Sequence, residues 1–461
     1  MPASVLPFAL LAKQREIESL RRLAGRIELI DLLGRLIHAL QRERGATSLY
    51  LASRGTRFPT ERAAARRDGA PLLARLRTRL DRELAPASHA TSQILSSIAW
   101  ALIDLESLDT LRERVDALAV SAPESVKAFS TVIGSLMELI FQLADGAPDP
   151  SISSMLVALV HIVQGKEEAG QERAVGAHMF AAGGFSADQQ ERLSYLCDAQ
   201  ARSLEVFANF ANAEHDEWWR LRSTQPGTAT FEQLRRTLCT AAVGDALDAG
   251  LSEAWFDAAS ARIDDLWHLQ IALTLHVRRA CDERIDAARQ TLRDSECLMA
   301  QLRDNPPPHA RALEHFFSDG GPVDGTAVHV LPERLTSATP STLARLRSLL
   351  ESQSATLAGA EVELDAARRT LFERRLVQRA KTMLMARFGM REDAAYRTLQ
   401  KASMDRNRPL AEIAEAALAA PEAFAGTAAT ATATATTTAT TTAARRTRRH
   451  APDTPDDDAP H

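Results

Sequence analysis

The chain has few cysteines, few aromatics and no long apolar run, and each shortage rules something out. Its four cysteines, Cys197, Cys239, Cys281 and Cys297, are far apart in 461 residues and form no CxxC pair. That spacing argues against a disulfide framework and a zinc site, and fits buried thiols in a reducing compartment. No stretch reaches about 18 apolar residues, the length expected of a membrane-spanning helix. The short apolar run from Val5 to Ala12 has no basic residues before it and no convincing cleavage site. The chain is therefore expected in the cytosol and off the membrane. Catalytic signatures are missing as well. Twelve histidines are scattered without HExxH, and there is no P-loop and no GxSxG. An enzyme is not expected, and neither is a metal or an organic cofactor. Val/Ile/Thr-rich alternating runs are scarce, which leaves little room for β-sheet.

What the chain does have is helix. Hydrophobic residues make up 45% and charged residues 25%, the balance of a folded globular protein, and Ala, Leu, Arg and Glu dominate. Amphipathic patterns over Ile17–Leu51, Ile94–Leu118, Ile152–Phe180 and Trp255–Leu302 are too long and regular for strands. The expected fold is all-α. Residues 1–304 read as a helical sensor half. Residues 305–340 open with NPPP, contain SDGGPVDG and end in SATP, the composition of a linker. Leu343, Leu350, Leu357, Leu364 and Leu371 then recur at every seventh position, the period of a coiled coil over 341–373. A single amphipathic helix packed on its own domain would carry the same pattern. Residues 421–461, largely a Thr/Ala repeat followed by ARRTRRH and DTPDDDAPH, are expected to be a disordered tail.

Two segments of the sensor half look like copies. Gln41–Phe58 reads QRERGATSLYLASRGTRF, and Gly170–Phe185 reads GQERAVGAHMFAAGGF. Aligning Arg44 on Arg173, 129 residues apart, also aligns Glu43 with Glu172, Leu51 with Phe180 and Gly55 with Gly184. One helical bundle per copy is expected, giving two related bundles. Small residues follow each arginine, so helices can approach closely and leave room beside the guanidinium. A guanidinium matches a planar oxyanion bidentately. Two arginines converging on a pocket would repel when it is empty, and a monoanion would relieve that repulsion. The alternative is that each arginine pairs with a nearby glutamate.

The C-terminal region departs from the overall charge of −5. Between Arg374 and Arg408 ten cations face only three acids. Three short helical patterns over 374–420 suggest a small three-helix bundle. A compact basic helical module at the end of a helical protein reads as an output element for nucleic acid.

This segment, RAKTMLMARFGMREDAAYRTLQKASMDRNRPLAEIAE, resembles the ANTAR domain at Ala380-Lys381, Leu384-Met385, Gly389-x-x-Glu392-x-Ala394-x-Tyr396, Leu399, Ser403, Asn407 and Ala414. It departs at Thr382, where the family commonly has Gly. The segments LQRERGATSLYLASRG and AGQERAVGAHMF are similar to the NIT domain. Together these resemblances imply a nitrate- or nitrite-responsive antitermination regulator that binds leader-mRNA stem-loops. They carry ligand binding onto Arg44 and Arg173, with Arg236 as a third arginine by position, Arg235 nearly as good and Arg42 a helper. Leu376, Ala380, Met383, Leu384, Tyr396, Leu399, Leu410, Ile413, Ala414 and Leu418 are expected to form the core of the small bundle. RNA contacts are expected from Lys381, Arg397, Lys401 and Arg406 on its outer faces. A homodimer through the coiled coil would present two such domains. The competing reading is a ligand-responsive DNA-binding regulator whose terminal unit acts as a helix-turn-helix.

Overall fold

Helical periodicity carries through to a computed structural model that describes residues 5–84, 90–145, 147, 149–304 and 365–424. Twelve α-helices and no strand are found among these residues. The sensor half holds α1 (Val5–Ala52), α2 (Pro59–Asp81), α3 (Ser92–Asp116), α4 (Ala122–Ala144), α5 (Pro150–Ala181), α6 (Ala187–Phe210), α7 (Ala213–Ser223), α8 (Pro226–Thr240) and α9 (Leu251–Asp304). The C-terminal module holds α10 (365–388), α11 (Glu392–Arg406) and α12 (Leu410–Ala419).

Apolar spacing explains the long helices. On α1, Ile17, Leu20, Ile27, Ile30, Leu33, Ile37 and Leu40 are buried, a stripe at intervals of three, four and seven. On α9 the stripe runs through Trp255, Ala259, Ile263, Leu266, Leu273, Val277 and Cys281. Helix starts are set by local chemistry. Thr91 accepts from the Ile94 amide ahead of α3, and Ser121 with Glu124 forms a capping box ahead of α4. Helix α4 is long and apolar enough to cross a membrane by length and composition. Here it is a core helix: α1 and α3 pack against it, and Phe129, Ile133, Leu136 and Ile140 are buried.

The chain divides into two compact units. The first draws its described residues from Met1–Val163, Val206–Glu217 and Trp267–Arg368, and the second from Gln164–Glu205, Trp218–Leu266 and Arg369–His461. In the first, α1 packs on α2 and α4, and His38 stacks on Trp267 with ring centroids 4.2 Å apart. The second contains two apolar cores. One joins Met179 and Phe180 of α5 to Leu193 of α6, Phe231, Leu234 and Leu238 of α8, and Trp255 of α9. The other is the three-helix core of the C-terminal module: Leu376, Ala380 and Leu384, then Ala395, Leu399 and Ala402, then Ile413, Ala414 and Ala417. Met383, Leu410 and Leu418 flank it as expected. Tyr396 does not join it. One position off the Ala395–Leu399–Ala402 stripe, it meets Tyr195 of α6 instead, with ring centroids 5.6 Å apart.

The turns of this module have definite backbone requirements. Gly389 has φ +66° between α10 and α11, where a side chain would be strained. Asn407 closes α11 at φ 48°, and the Arg408 amide reaches back to the Ser403 carbonyl. Phe424, in a turn at Pro421–Phe424, is buried against the same core, so the first residues assigned to the tail belong to the fold. The linker at 305–340, Leu343, Leu350, Leu357 and Leu364 of the heptad, and residues 425–461 lie outside the described residues. Leu371 of the heptad is buried on α10. Of the cysteines, Cys281 alone is buried; Cys197 is half-buried, and Cys239 and Cys297 are exposed.

Candidate functional site

In the first unit, Glu43 and Arg44 near the end of α1 are both buried. They do not pair with each other. Glu43 receives both arms of Arg112 from α3, Nε to Oε1 and NH2 to Oε2, each at 2.8 Å. Burial lowers the Arg112 pKa, and Glu43 outweighs this and holds it above its ordinary value. Arg44 donates through NH1 to Ser130 Oγ of α4 at 2.7 Å.

The second unit repeats the arrangement. Glu172 of α5 is fully buried and receives Arg235 of α8, Nε at 2.7 Å and NH2 at 3.0 Å. Gln200 of α6 donates to the same carboxylate at 2.7 Å. Arg173 donates through NH1 to Ser260 Oγ of α9 at 2.8 Å, and its guanidinium lies 4.6 Å from the centre of the Phe256 ring. Each Glu-Arg pair therefore sends its glutamate to an arginine two or three helices on. Each also sends its own arginine to a serine, 86 residues on in one copy and 87 in the other. The internal repeat is structural as well as textual. Ser260 Oγ and the Phe256 ring thus orient the planar Arg173 guanidinium, whose fork of N–H donors matches an oxyanion.

The other candidates fall differently. Arg236 is exposed on α8, whereas Arg235 makes the buried pair. Helical phase distinguishes the two: Phe231, Leu234 and Leu238 form the apolar stripe of α8, and position 235 flanks it while 236 turns away. Arg42 pairs with Asp68 at the surface. Arg112 and the two serines were not singled out from the sequence, nor was Arg262. Arg262 donates to Gln200 and lies 5.2 Å from the rings of both Trp219 and Phe231.

Gly176 gives the small residues after Arg173 a physical role. A Cβ there would stand 2.4–2.6 Å from the Trp255 indole. Trp255 is fully buried and donates Nε1–H to the Arg173 carbonyl at 3.0 Å. Gly176→Ala is expected to lower stability by about 1–3 kcal/mol, the usual range for overpacking, and to lower Tm accordingly. Thermal unfolding followed by circular dichroism checks this, and an unchanged Tm would mean that the indole gives way freely.

The C-terminal module meets the sensor helices of the second unit through ion pairs. Lys381 of α10 is buried and donates to Glu392 at 2.9 Å and to the Tyr195 hydroxyl of α6 at 3.3 Å. Arg192 of α6 reaches the same Glu392 at 3.1 Å. Burial pushes the Glu392 carboxyl up, but Lys381 and then Arg192 outweigh it and hold it at about 2. Arg391 pairs with Asp188 at 3.2 Å, and Arg397 pairs with Glu191 and with Asp393. Arg202 of α6 lies over Tyr396. Arg374 approaches the buried Glu168 of α5 at 3.4 Å, where Gln164 and Ser203 also donate. Burial raises the Glu168 pKa, and Arg374 is the largest influence opposing it. Two of the four expected RNA-contact residues, Lys381 and Arg397, are thus engaged with sensor side chains. Lys381 was expected on an outer face; the approach of α6 covers it. Lys401 and Arg406 are exposed on α11, with Arg406 over the Phe424 ring.

Buried glutamate–arginine repeats in a helical sensor, beside a basic three-helix module held by carboxylates of that sensor, define a signal-responsive regulator with a nucleic-acid output. The chain belongs to the nitrate and nitrite sensing family, which matches residues 35–278, and the ANTAR domain matches residues 365–418. It is a nitrate-responsive transcription antitermination regulator. It is 32% identical over 408 residues to the nitrate regulatory protein of Klebsiella oxytoca, an overlap of 88% of this chain and 93% of that protein. It also resembles the solved structure of the NasR transcription antiterminator, with TM-score 0.55 and 27% identity over 89% of this chain and 98% of that one. The ANTAR match starts at 365, inside the segment assigned to the connector, as does the described part of α10.

Proposed function

We propose that nitrate or nitrite, taken by Arg44 and Arg173, frees the C-terminal domain to bind paired hairpins in a leader transcript and so prevents a terminator from forming. The observation that carries this reading is the engagement of Lys381, Arg391 and Arg397 by Tyr195, Asp188 and Glu191 of one sensor helix. Cations held by sensor carboxylates cannot also neutralise RNA phosphates, so sensor contact and RNA binding compete. The route from anion to output is short in sequence terms. Glu168, which faces Arg374, sits one helical turn before Glu172-Arg173 on α5. The regulator acts in the cytosol, as a homodimer through the leucine heptad. Arg236 remains a third ligand candidate, exposed on α8, with Arg235 as its competitor.

A gel-shift titration of the full chain tests this. The probes are a two-hairpin leader RNA and a matched duplex DNA, with nitrate, nitrite or chloride. Nitrate should tighten RNA binding and leave DNA weak; equal or tighter DNA binding would favour a helix-turn-helix regulator. Lys401→Ala and Arg406→Ala should each weaken nitrate-dependent RNA binding. Each should reduce the slope of log affinity against log salt by about one or less.

A further inference from the structure

The internal repeat breaks at one position. Ser130 of α4 and Ser260 of α9, which accept from Arg44 and Arg173, are equivalent and stand 130 residues apart. The same offset pairs buried residues with buried residues: Ser125 with Trp255, Phe129 with Ala259, Ile133 with Ile263 and Leu136 with Leu266. It also pairs Val132, a core residue, with Arg262, which is half-buried. A cation in the place of a core valine carries a desolvation cost that packing alone does not require.

Its neighbours orient Arg262 without neutralising it. The guanidinium lies 5.2 Å from the ring centres of both Trp219 of α7 and Phe231 of α8, and Nε donates to Gln200 Oε1 of α6 at 3.3 Å. Arg235 stands 5.3 Å from the same Phe231 ring. The carboxylates nearby are committed to other cations. Glu172 takes Arg235 on both oxygens, and Gln200 as well. Glu232 pairs with Arg235, and Asp265 takes Arg222. Among the described residues, no acceptor meets the Arg262 Nη nitrogens. Burial lowers the Arg262 pKa and Arg235 lowers it further; Glu232, Glu172 and Asp265 do not make up the difference. A guanidinium stays protonated even so, which leaves a fixed positive charge short of a counter-ion.

We propose that Arg262 is a second oxyanion site of the sensor, in which its Nη edge takes a nitrate or nitrite ion in the plane of the guanidinium. The two rings fix that plane, and a planar ion matches the paired N–H groups bidentately. The site is separate from that of Arg173. Ser260 and Arg262 are two residues apart on α9, about 200° around the helix, so they lie on opposite flanks. An ion here supplies the negative charge that Arg235 and Arg262 lack, beside Gln200 of α6. Helix α6 also carries Asp188, Glu191 and Tyr195, which hold the output domain, so occupancy acts on the helix that restrains RNA binding. The identity of the ion rests on the sensor reading above; the geometry of the site does not.

The test is isothermal titration of the full chain with nitrate, and with chloride at matched ionic strength, with circular dichroism to verify the fold. Arg262→Met keeps an unbranched stem between the rings and removes the charge. It should bind one nitrate fewer per chain than the wild type. Arg262→Lys keeps the charge and loses the fork, and should weaken the same site about tenfold or more. In Arg44→Lys with Arg173→Lys the Arg262 ion should remain, and adding Arg262→Met should remove it. Unchanged stoichiometry and affinity in Arg262→Met would reduce the arginine to a stacked structural cation and overturn the proposal. So would wild-type affinity in Arg262→Lys, or chloride binding there as tightly as nitrate. The double lysine variant tells the two sites apart. Loss of all nitrate binding in it sinks the Arg262 site and leaves Arg44 and Arg173 as the ligands. Binding lost in Arg262→Met but not in the double variant sustains the Arg262 site and sinks those two arginines.

Discussion

Reversing charge on one face of α6 is expected to make RNA binding independent of nitrate. Asp188→Lys with Glu191→Lys replaces two carboxylates, each about half exposed, that hold Arg391 and Arg397. Exposed ion pairs contribute roughly 0.2–1 kcal/mol each, and reversal replaces each attraction with a repulsion of similar size. Three contacts are affected: Arg391 with Asp188 at 3.2 Å, Arg391 with Glu191 at 3.9 Å, and Arg397 with Glu191. Together the change is on the order of 2 kcal/mol, about a thirtyfold shift toward the released output domain. Both positions lie outside the buried set, so the fold should survive, and circular dichroism verifies that. In the same gel shift, the double variant without nitrate should approach the affinity of the wild type with nitrate. A variant that binds RNA weakly until nitrate is added would show that these pairs do not restrain the output domain.

The second large effect is expected at the sensor. Arg173→Lys keeps the charge but loses the planar fork, its stacking on Phe256 and its reach to Ser260 Oγ. Charge-assisted hydrogen bonds contribute roughly 1.5–3 kcal/mol each, so nitrate affinity should fall by about tenfold to a hundredfold for each bond lost. Arg44→Lys should behave alike, because Arg44 holds the equivalent place against Ser130. Isothermal titration of the full chain with nitrate, with chloride as control, reads this directly. Wild-type affinity in both lysine variants would reduce these arginines to structural donors. Loss of nitrate response in RNA binding with unchanged affinity would instead place them in the relay.

Much of this was legible in the chain by itself. The stripe from Ile17 to Leu40 on α1 and the one from Trp255 to Cys281 on α9 are periodic in the sequence, and a period of 3.6 residues is a local property that dictates helix. The Glu43-Arg44 and Glu172-Arg173 repeat marked two related bundles, and the cation-rich segment marked the output module. That Arg235 rather than Arg236 lies beside the apolar stripe of α8 was also within reach, since Phe231, Leu234 and Leu238 set the phase of that helix.

The partners were decided only by tertiary structure. Nothing local says that Glu43 takes Arg112, 69 residues away, or that Glu172 takes Arg235 at 63. Lys381 looked like an outward cation and became buried because α6, 186 residues earlier, brings Tyr195 to its ammonium. Tyr396 looked like core and faces α6 for the same reason. Periodicity records which side of a helix avoids water, and the sequence alone determined that. Which charge meets which depends on how helices far apart in sequence approach. Many carboxylates stand at equivalent positions along the chain, and only the packed fold brings a particular one within 3 Å of a particular cation.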